Sequence, residues 1–311
     1  MTPLQINYTG TWLGPVQLAL SERVGISGVS INGSNPLTTP AGLWMENSFV
    51  YNEAGAPLGG LTTLELTNLV GLTNGNFSPE KMAALTSLSL PALAYVGGNF
   101  SPATMAALTS LSIPSLVYVG GNVATSTMAS LVSLGFPALR FVGGTLNFGT
   151  MAALTSLTFP SLVYVGNVTS PFTMASLSSL SFPALTYCGA QFGPNGMALL
   201  TSCSAPNMVY YGSIISLYTS MGNVTSVVLG TPGTLKAIVG ATINISGQKL
   251  NAASVNGILA LLVSLDGTNG TTLWGAGKTL TINGGTNAAP SGQGILDKAT
   301  LQARTATVTT N

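Results

Sequence analysis

From Met82 to Gly212 apolar and small polar side chains return in a fixed order every 23 residues, through six copies. Methionine recurs at Met82, Met105, Met128, Met151, Met174 and Met197, and proline at Pro91, Pro114, Pro137, Pro160, Pro183 and Pro206. Glycine recurs at Gly97, Gly120, Gly143, Gly166, Gly189 and Gly212. A fixed period of this length marks a solenoid, in which each coil buries its apolar face only against its neighbours. The copy that begins Ser101-Pro-Ala-Thr-Met105 shows the elements. Ser101 suits an N-cap and Pro102 the first helical position, so Ala103 to Leu108 predict a short helical arc. Leu108-Thr-Ser-Leu111-Ser-Ile113 then changes to alternation and predicts a strand, which Pro114 ends by removing a ladder donor. A second extended piece turns Leu116 and Val119 inward, and Gly120-Gly121 is expected to turn the corner at positive φ.

Stacked coils place like residues over like. Leu88, Leu111, Leu134, Leu157 and Leu180 form one inner column, and Leu90, Ile113, Phe136, Phe159 and Phe182 the next. The outward strand positions carry small hydroxyls, such as Thr86, Ser87 and Ser89, then Thr109, Ser110 and Ser112. Tyr95, Tyr118, Phe141, Tyr164, Tyr187 and Tyr210 make an aromatic column, with Arg140 and Thr186 beside it pointing to a partly exposed face.

Outside the repeats the pattern changes. Residues 1–60 form a non-repeating head of short strands and long loops, and Trp12 and Trp44 make it the candidate docking domain. A degenerate coil starts at Leu61, and the predicted solenoid occupies residues 61–245, with strands at Val224 to Leu229 and Leu235 to Ile245. Residues 246–311 predict a cap. Val255, Ile258, Leu259, Leu262 and Leu265 fall at helical spacing, Leu280 to Ile282 alternates, Ile295 to Arg304 reads as a second helix, and Thr305 to Thr310 as a last strand. The expected fold class is α/β: a parallel β-solenoid with short helical arcs, a non-repeat head and a strand–helix–strand cap.

Charge changes the functional picture. Lys and Arg total 8 and Asp and Glu 7, so charged residues are 5% of the chain, against about 25% in ordinary proteins. Between Met82 and Gly212 the only charged residue is Arg140, and histidine is absent throughout. The commonest general base, pH switch and metal ligand are therefore missing together. The net charge of +1 offers no footprint for nucleic acid or an acidic membrane surface. No stretch approaches the ~18 apolar residues of a membrane span. Met1-Thr-Pro-Leu-Gln lacks the basic start and apolar run of a secretory signal, so synthesis in a cytoplasm without export is expected. The Asn-x-Ser/Thr triplets at Asn7, Asn32, Asn76, Asn99, Asn167, Asn223, Asn244 and Asn269 read as by-products of an Asn-Ser-Thr-rich surface.

Candidate chemistry is sparse. Gly275-Ala-Gly-Lys-Thr279 imitates the end of a phosphate-binding loop, but Thr272 stands where that loop needs glycine, and a strand follows instead of a helix. Glu22, Glu46, Glu53, Glu65, Glu80, Asp266 and Asp297 show no carboxylate-pair spacing and no calcium-loop pattern. Cys188 occupies a Val position and Cys203 a Leu position of the repeat, which reads as core thiols, with a disulfide between adjacent coils as the other reading. No cofactor, metal or catalytic residue is expected. The tyrosine column carries two readings: rings that only stabilise the coils, or an amphipathic surface that stacks on sugars and anchors interfaces. The hydroxyl face of Thr109, Ser110 and Ser112 is similarly either an interface or a solvated wall.

The run Leu108-x-x-Leu111-x-Ile113-Pro114-x-Leu116-x-x-Val119-Gly-Gly resembles bacterial surface leucine-rich repeats of the 23-residue type, and is similar to the coils of receptor L domains. The resemblance covers roughly residues 61–212 and implies a leucine-rich-repeat-like fold, although the Cys or Asn usual near the helical arc is missing. Thr286-Asn-Ala-Ala-Pro-Ser-Gly-Gln-Gly-Ile-Leu-Asp-Lys-Ala-Thr-Leu-Gln-Ala-Arg304, closing in Thr307-Val-Thr-Thr-Asn311, resembles the C-terminus of repeat-bearing proteins encoded by tailed bacteriophages. That likeness implies a virion surface component of fibre or decoration type. Its partners would be capsid or tail proteins, further copies of itself (a trimer in a fibre-like part) and a host-surface glycan. A bacterial surface adhesin and, behind it, a solenoid polysaccharide depolymerase are the competing expectations.

Overall fold

The computed structural model describes residues 62–80, 82–171, 174–217 and 222–311, together with the backbone of six short strands within residues 5–52. The chain is a parallel β-solenoid, with two helices near its C-terminus among the described residues. It divides into two compact units, Met1–Leu157 and Thr158–Asn311.

In the first unit a coil consists of three extended runs joined by turns. The hydroxyl-bearing strands Ser87–Ser89 and Ser110–Ser112 pair in parallel, with Leu88 on Leu111. The tyrosine strands Tyr95–Val96 and Tyr118–Val119 pair next, and Tyr118 then pairs with Phe141. The third run pairs Val123–Thr125 with the far end of Phe141–Phe148. Alternation decides which side chains face in. Leu88, Leu90, Leu93 and Val96 are fully buried, as are Leu108, Leu116 and Val119 one coil on. Each such side chain contributes about 1.5–3 kcal/mol over its exposed state. Proline turns the corner after the hydroxyl strand: the Leu93 amide donates to the Leu90 carbonyl across Pro91, whose fixed φ suits the second position of a β-turn.

Two local expectations are corrected here. The arc from Ala103 to Leu108 contains no helix. Ala103 instead makes ladder bridges to Glu80 and Ser126 in the coils on either side, Thr104 takes φ 58°, and the Leu108 amide closes a single turn on Met105. Six residues offer too few internal bonds to repay helix nucleation, and coil-to-coil amides claim the donors first. The second correction concerns Gly120 and Gly121. Among the described residues of this unit positive φ falls on Thr104 and Thr127, not on these glycines. They are needed for proximity, because a Cβ at Gly120 would sit 2.1 Å from the Gly97 carbonyl oxygen.

Coil geometry also begins upstream of the sequence period. Gln5–Thr9 pairs in parallel with Gly28–Asn32, Leu43–Met45 with Leu69–Leu72, and Phe49–Asn52 with Phe77–Glu80.

The second unit repeats the scheme. Ser179–Ser181 pairs with Ser202–Ser204 and then Ser226–Val228, while Tyr164, Tyr187 and Tyr210 are register partners. The strand expected from Leu235 to Ile245 is two strands, Ala237–Ile238 and Thr242–Asn244. Gly240 lies between them, where a Cβ would meet the Ser213 carbonyl oxygen at 2.2 Å. The cap follows as expected. Helix α1 (Ala252–Val263) buries Val255, Ile258, Leu259 and Leu262, and Asn251 caps it by accepting from the Ser254 amide. Thr279–Ile282, helix α2 (Gln293–Ala303) and Thr307–Thr310 complete the chain. Helix α1 closes the edge of Ser226–Val228: Ser254 Oγ accepts from the Val227 amide, and the Asn251 amide donates to the Thr225 carbonyl. That leaves this edge less open to a foreign strand. Among the described residues no helix is long and apolar enough to cross a membrane.

Candidate functional site

The aromatic column is outward-facing and half-buried in both units. In the first, Tyr95 stacks on Tyr118 at 4.6 Å and Tyr118 on Phe141 at 4.9 Å, each pair within 3° of parallel. In the second, Tyr164 stacks on Tyr187 at 4.9 Å and Tyr187 on Tyr210 at 4.6 Å, with angles of 10° and 6°. These separations match the spacing of neighbouring strands, about 4.8 Å, so the backbone register dictates the stack. The rings spend their faces on one another. What they present outward is a row of ring edges and phenol groups, which narrows the sugar-stacking option to edge contacts and hydroxyl hydrogen bonds. Partial burial, and then the neighbouring phenols of Tyr210 and Tyr164, push the Tyr187 phenol above its ordinary range.

The hydroxyl face divides into two kinds of group. Thr86 donates to the Thr62 carbonyl at 2.9 Å and Thr109 to the Thr86 carbonyl at 3.1 Å, while Thr155 reaches Val132 at 3.2 Å. In the second unit Thr201 and Thr225 do the same toward Ser178 and Thr201. The threonines therefore lace coil to coil. Ser110 and Ser112 stand exposed beside them and provide the hydroxyls that face solvent. Of the two docking candidates, Trp12 lies outside the described residues, and for Trp44 only the backbone, paired with Gly71, is described.

Other candidate groups prove structural. Cys188 and Cys203 are buried free thiols, not a disulfide, and burial pushes both up to about 12. The Lys278 ammonium donates to the carbonyls of Ile238, Val239 and Gly240 at 3.2, 2.7 and 3.1 Å. It is thus engaged in closing a corner, and the strand from Thr279 follows it directly. Among the described residues no group of three His, Cys, Asp or Glu could hold a metal ion.

Two features escaped the sequence reading. Asn76 Oδ1 accepts from the Asn99 amide, Asn99 Oδ1 from the Asn122 amide, and Asn122 Oδ1 from the Thr145 amide, all at 2.7 Å. The 23-residue spacing of these asparagines was a visible signal of the ladder. The other is a groove of about 300 Å³ between Ser226–Val228 and α1, with Val228, Leu229, Pro232, Ile258 and Leu261 in its walls. Nothing in the period announces it, because it exists only where a helix replaces the next strand.

Compared with known protein families, curated proteins and solved structures, the chain finds no match. The parallel β-solenoid class therefore stands on the ladder pairing alone.

Proposed function

We propose that the chain is a structural virion surface protein of a tailed bacteriophage, of the fibre, spike or decoration type, and that it has no catalytic activity. The observation that carries this reading is an in-register aromatic and hydroxyl surface whose coils, from Met82 to Gly212, hold one charged residue, Arg140. Such a surface presents phenol and serine hydroxyls in fixed rows and has little with which to move protons. The C-terminal resemblance supplies the phage context. In this reading residues 1–60, with Trp12 and Trp44, dock on capsid or tail proteins, residues 61–245 project, and residues 246–311 cap the projection. The projecting part assembles with further copies of the chain and contacts a host-surface glycan, without nucleic acid or membrane as partner. Residence at the virion surface after synthesis in the host cytoplasm completes the proposal.

Mass spectrometry of purified particles is the test: the protein is expected among the virion components, and its absence ends the reading. Replacing Tyr118, Tyr164 and Tyr187 by Ser is expected to weaken particle assembly or adsorption while the secondary structure survives. A bacterial surface adhesin is the second reading, favoured by the leucine-rich-repeat-like pattern of the hydroxyl strands, and recovery from a bacterial envelope fraction would select it. Incubation with host envelope polysaccharide is expected to release no reducing ends; release abolished by an Asp or Glu substitution would establish a depolymerase instead.

A further inference from the structure

Free aromatic pairs prefer offset or edge-to-face arrangements. The ladder here selects the parallel kind and sets its centroid separation. Tyr187 and Tyr210 are register partners whose ring centroids lie 4.6 Å apart with planes 6° from parallel. Tyr95 and Tyr118 repeat this at 4.6 Å and 3°. Because the ring separation matches the strand spacing, about 4.8 Å, one ring is close to its neighbour translated by one coil. Each carbon ortho to a phenol oxygen therefore lies at close to the centroid separation from its own counterpart. Both rings of each pair are half-buried, so their edges meet solvent.

We propose that these stacked pairs are sites of oxidative coupling to dityrosine, by which a haem peroxidase supplied with hydrogen peroxide staples one coil to the next. Each phenol loses one electron and one proton, giving two phenoxyl radicals. Counterpart ortho carbons join in a carbon–carbon bond, and the hydrogen on each of those carbons moves as a proton to the phenol oxygen as the rings regain aromaticity. Hydrogen peroxide takes up the two electrons and two protons and leaves as two molecules of water. Two neighbouring residues supply internal controls. Phe141 continues the first stack at 4.9 Å from Tyr118 but has no phenol, so coupling must stop there. Tyr211 adjoins Tyr210, yet it is fully buried and donates to the Leu229 carbonyl at 2.9 Å, so it is spared. The inference is independent of where the protein works, since it needs only the stack and the oxidant.

The test treats the full-length protein with a haem peroxidase and hydrogen peroxide, follows dityrosine fluorescence, and maps cross-linked peptides by mass spectrometry. Intrachain products joining Tyr187 to Tyr210 and Tyr95 to Tyr118 are expected, with a yield per chain unchanged on dilution and a raised Tm. Tyr187→Phe keeps the stack, as Phe141 shows the column accepts that ring, and is expected to abolish every product within the stack of Tyr164, Tyr187 and Tyr210 while Tyr95–Tyr118 survives. Tyr118→Phe should do the reverse. Circular dichroism of both variants checks that the coils are retained. Dityrosine found solely between chains and falling on dilution, a signal indifferent to both substitutions, or no intrachain product would each overturn the proposal.

Discussion

At the scale of a residue, one methyl group measures how closely the coils approach. An added Cβ at Gly120 would lie 2.1 Å from the Gly97 carbonyl oxygen, whose peptide unit also carries the Gly98 amide that donates to the Gly75 carbonyl one coil back. Gly120→Ala is therefore expected to cost about 2 kcal/mol in a urea titration. Gly257, exposed in the middle of α1 with nothing within 4 Å of its added Cβ, is the converse. Gly257→Ala is expected to add about 0.5–1 kcal/mol, because alanine loses less backbone freedom in a helix. The buried thiols set an alkaline limit. Cys203 ordinarily ionises near 9.0, but burial raises it in the fold to about 12. The folded state thus holds its proton where the unfolded chain has lost it. This contribution to stability is fully present below pH 9.0 and is lost as the pH rises through about 12. Cys203→Val, which keeps an apolar side chain in the column, is expected to flatten the alkaline fall in Tm. An unchanged slope would mean the thiol is not the group responsible.

At the scale of an element, the rows of the coil differ in how plainly the sequence declares them. Leu88, Leu111 and Leu134 repeat at a fixed interval inside an alternating strand, so their burial follows from period alone. The arc did not follow, because Ser101-Pro102 is a good local start for a helix and only the neighbouring coils, which claim the Ala103 and Thr104 amides, decide against it. Local propensity is weak beside such pairing. The asparagine ladder was hidden differently: a side chain that bonds the same backbone site one coil away looks, in a single copy, like ordinary surface polarity. For the tyrosines the sequence marked a partly exposed column, but whether faces or edges point outward depends on the register. One coil tests the threonine lacing directly. Val132 stands 53% exposed where Thr109 and Thr155 stand in adjacent coils. Val132→Thr should let a new hydroxyl donate to the Thr109 carbonyl, adding about 0.5–1 kcal/mol in chemical denaturation. A neutral or destabilising result would show that the lacing contributes no net stability.

At the scale of the whole molecule, each unit buries its core by stacking like on like, so the identity of a column matters more than the number of its members. Met105 and Met128 are interchangeable in this sense, as are Leu108 and Leu131, all fully buried. The 23-residue register has a consequence for inheritance. Excising residues 106–128 joins Met105 to Ala129 and closes every column of the first unit, whereas a deletion one residue shorter turns each following side chain to the wrong face. The in-frame loss is expected to give a protein that unfolds cooperatively, and the shorter one an aggregating product, as judged by calorimetry and gel filtration. Unequal recombination between copies can therefore lengthen or shorten the stack in whole coils of about 4.8 Å. The gene can vary its reach without requiring any new packing.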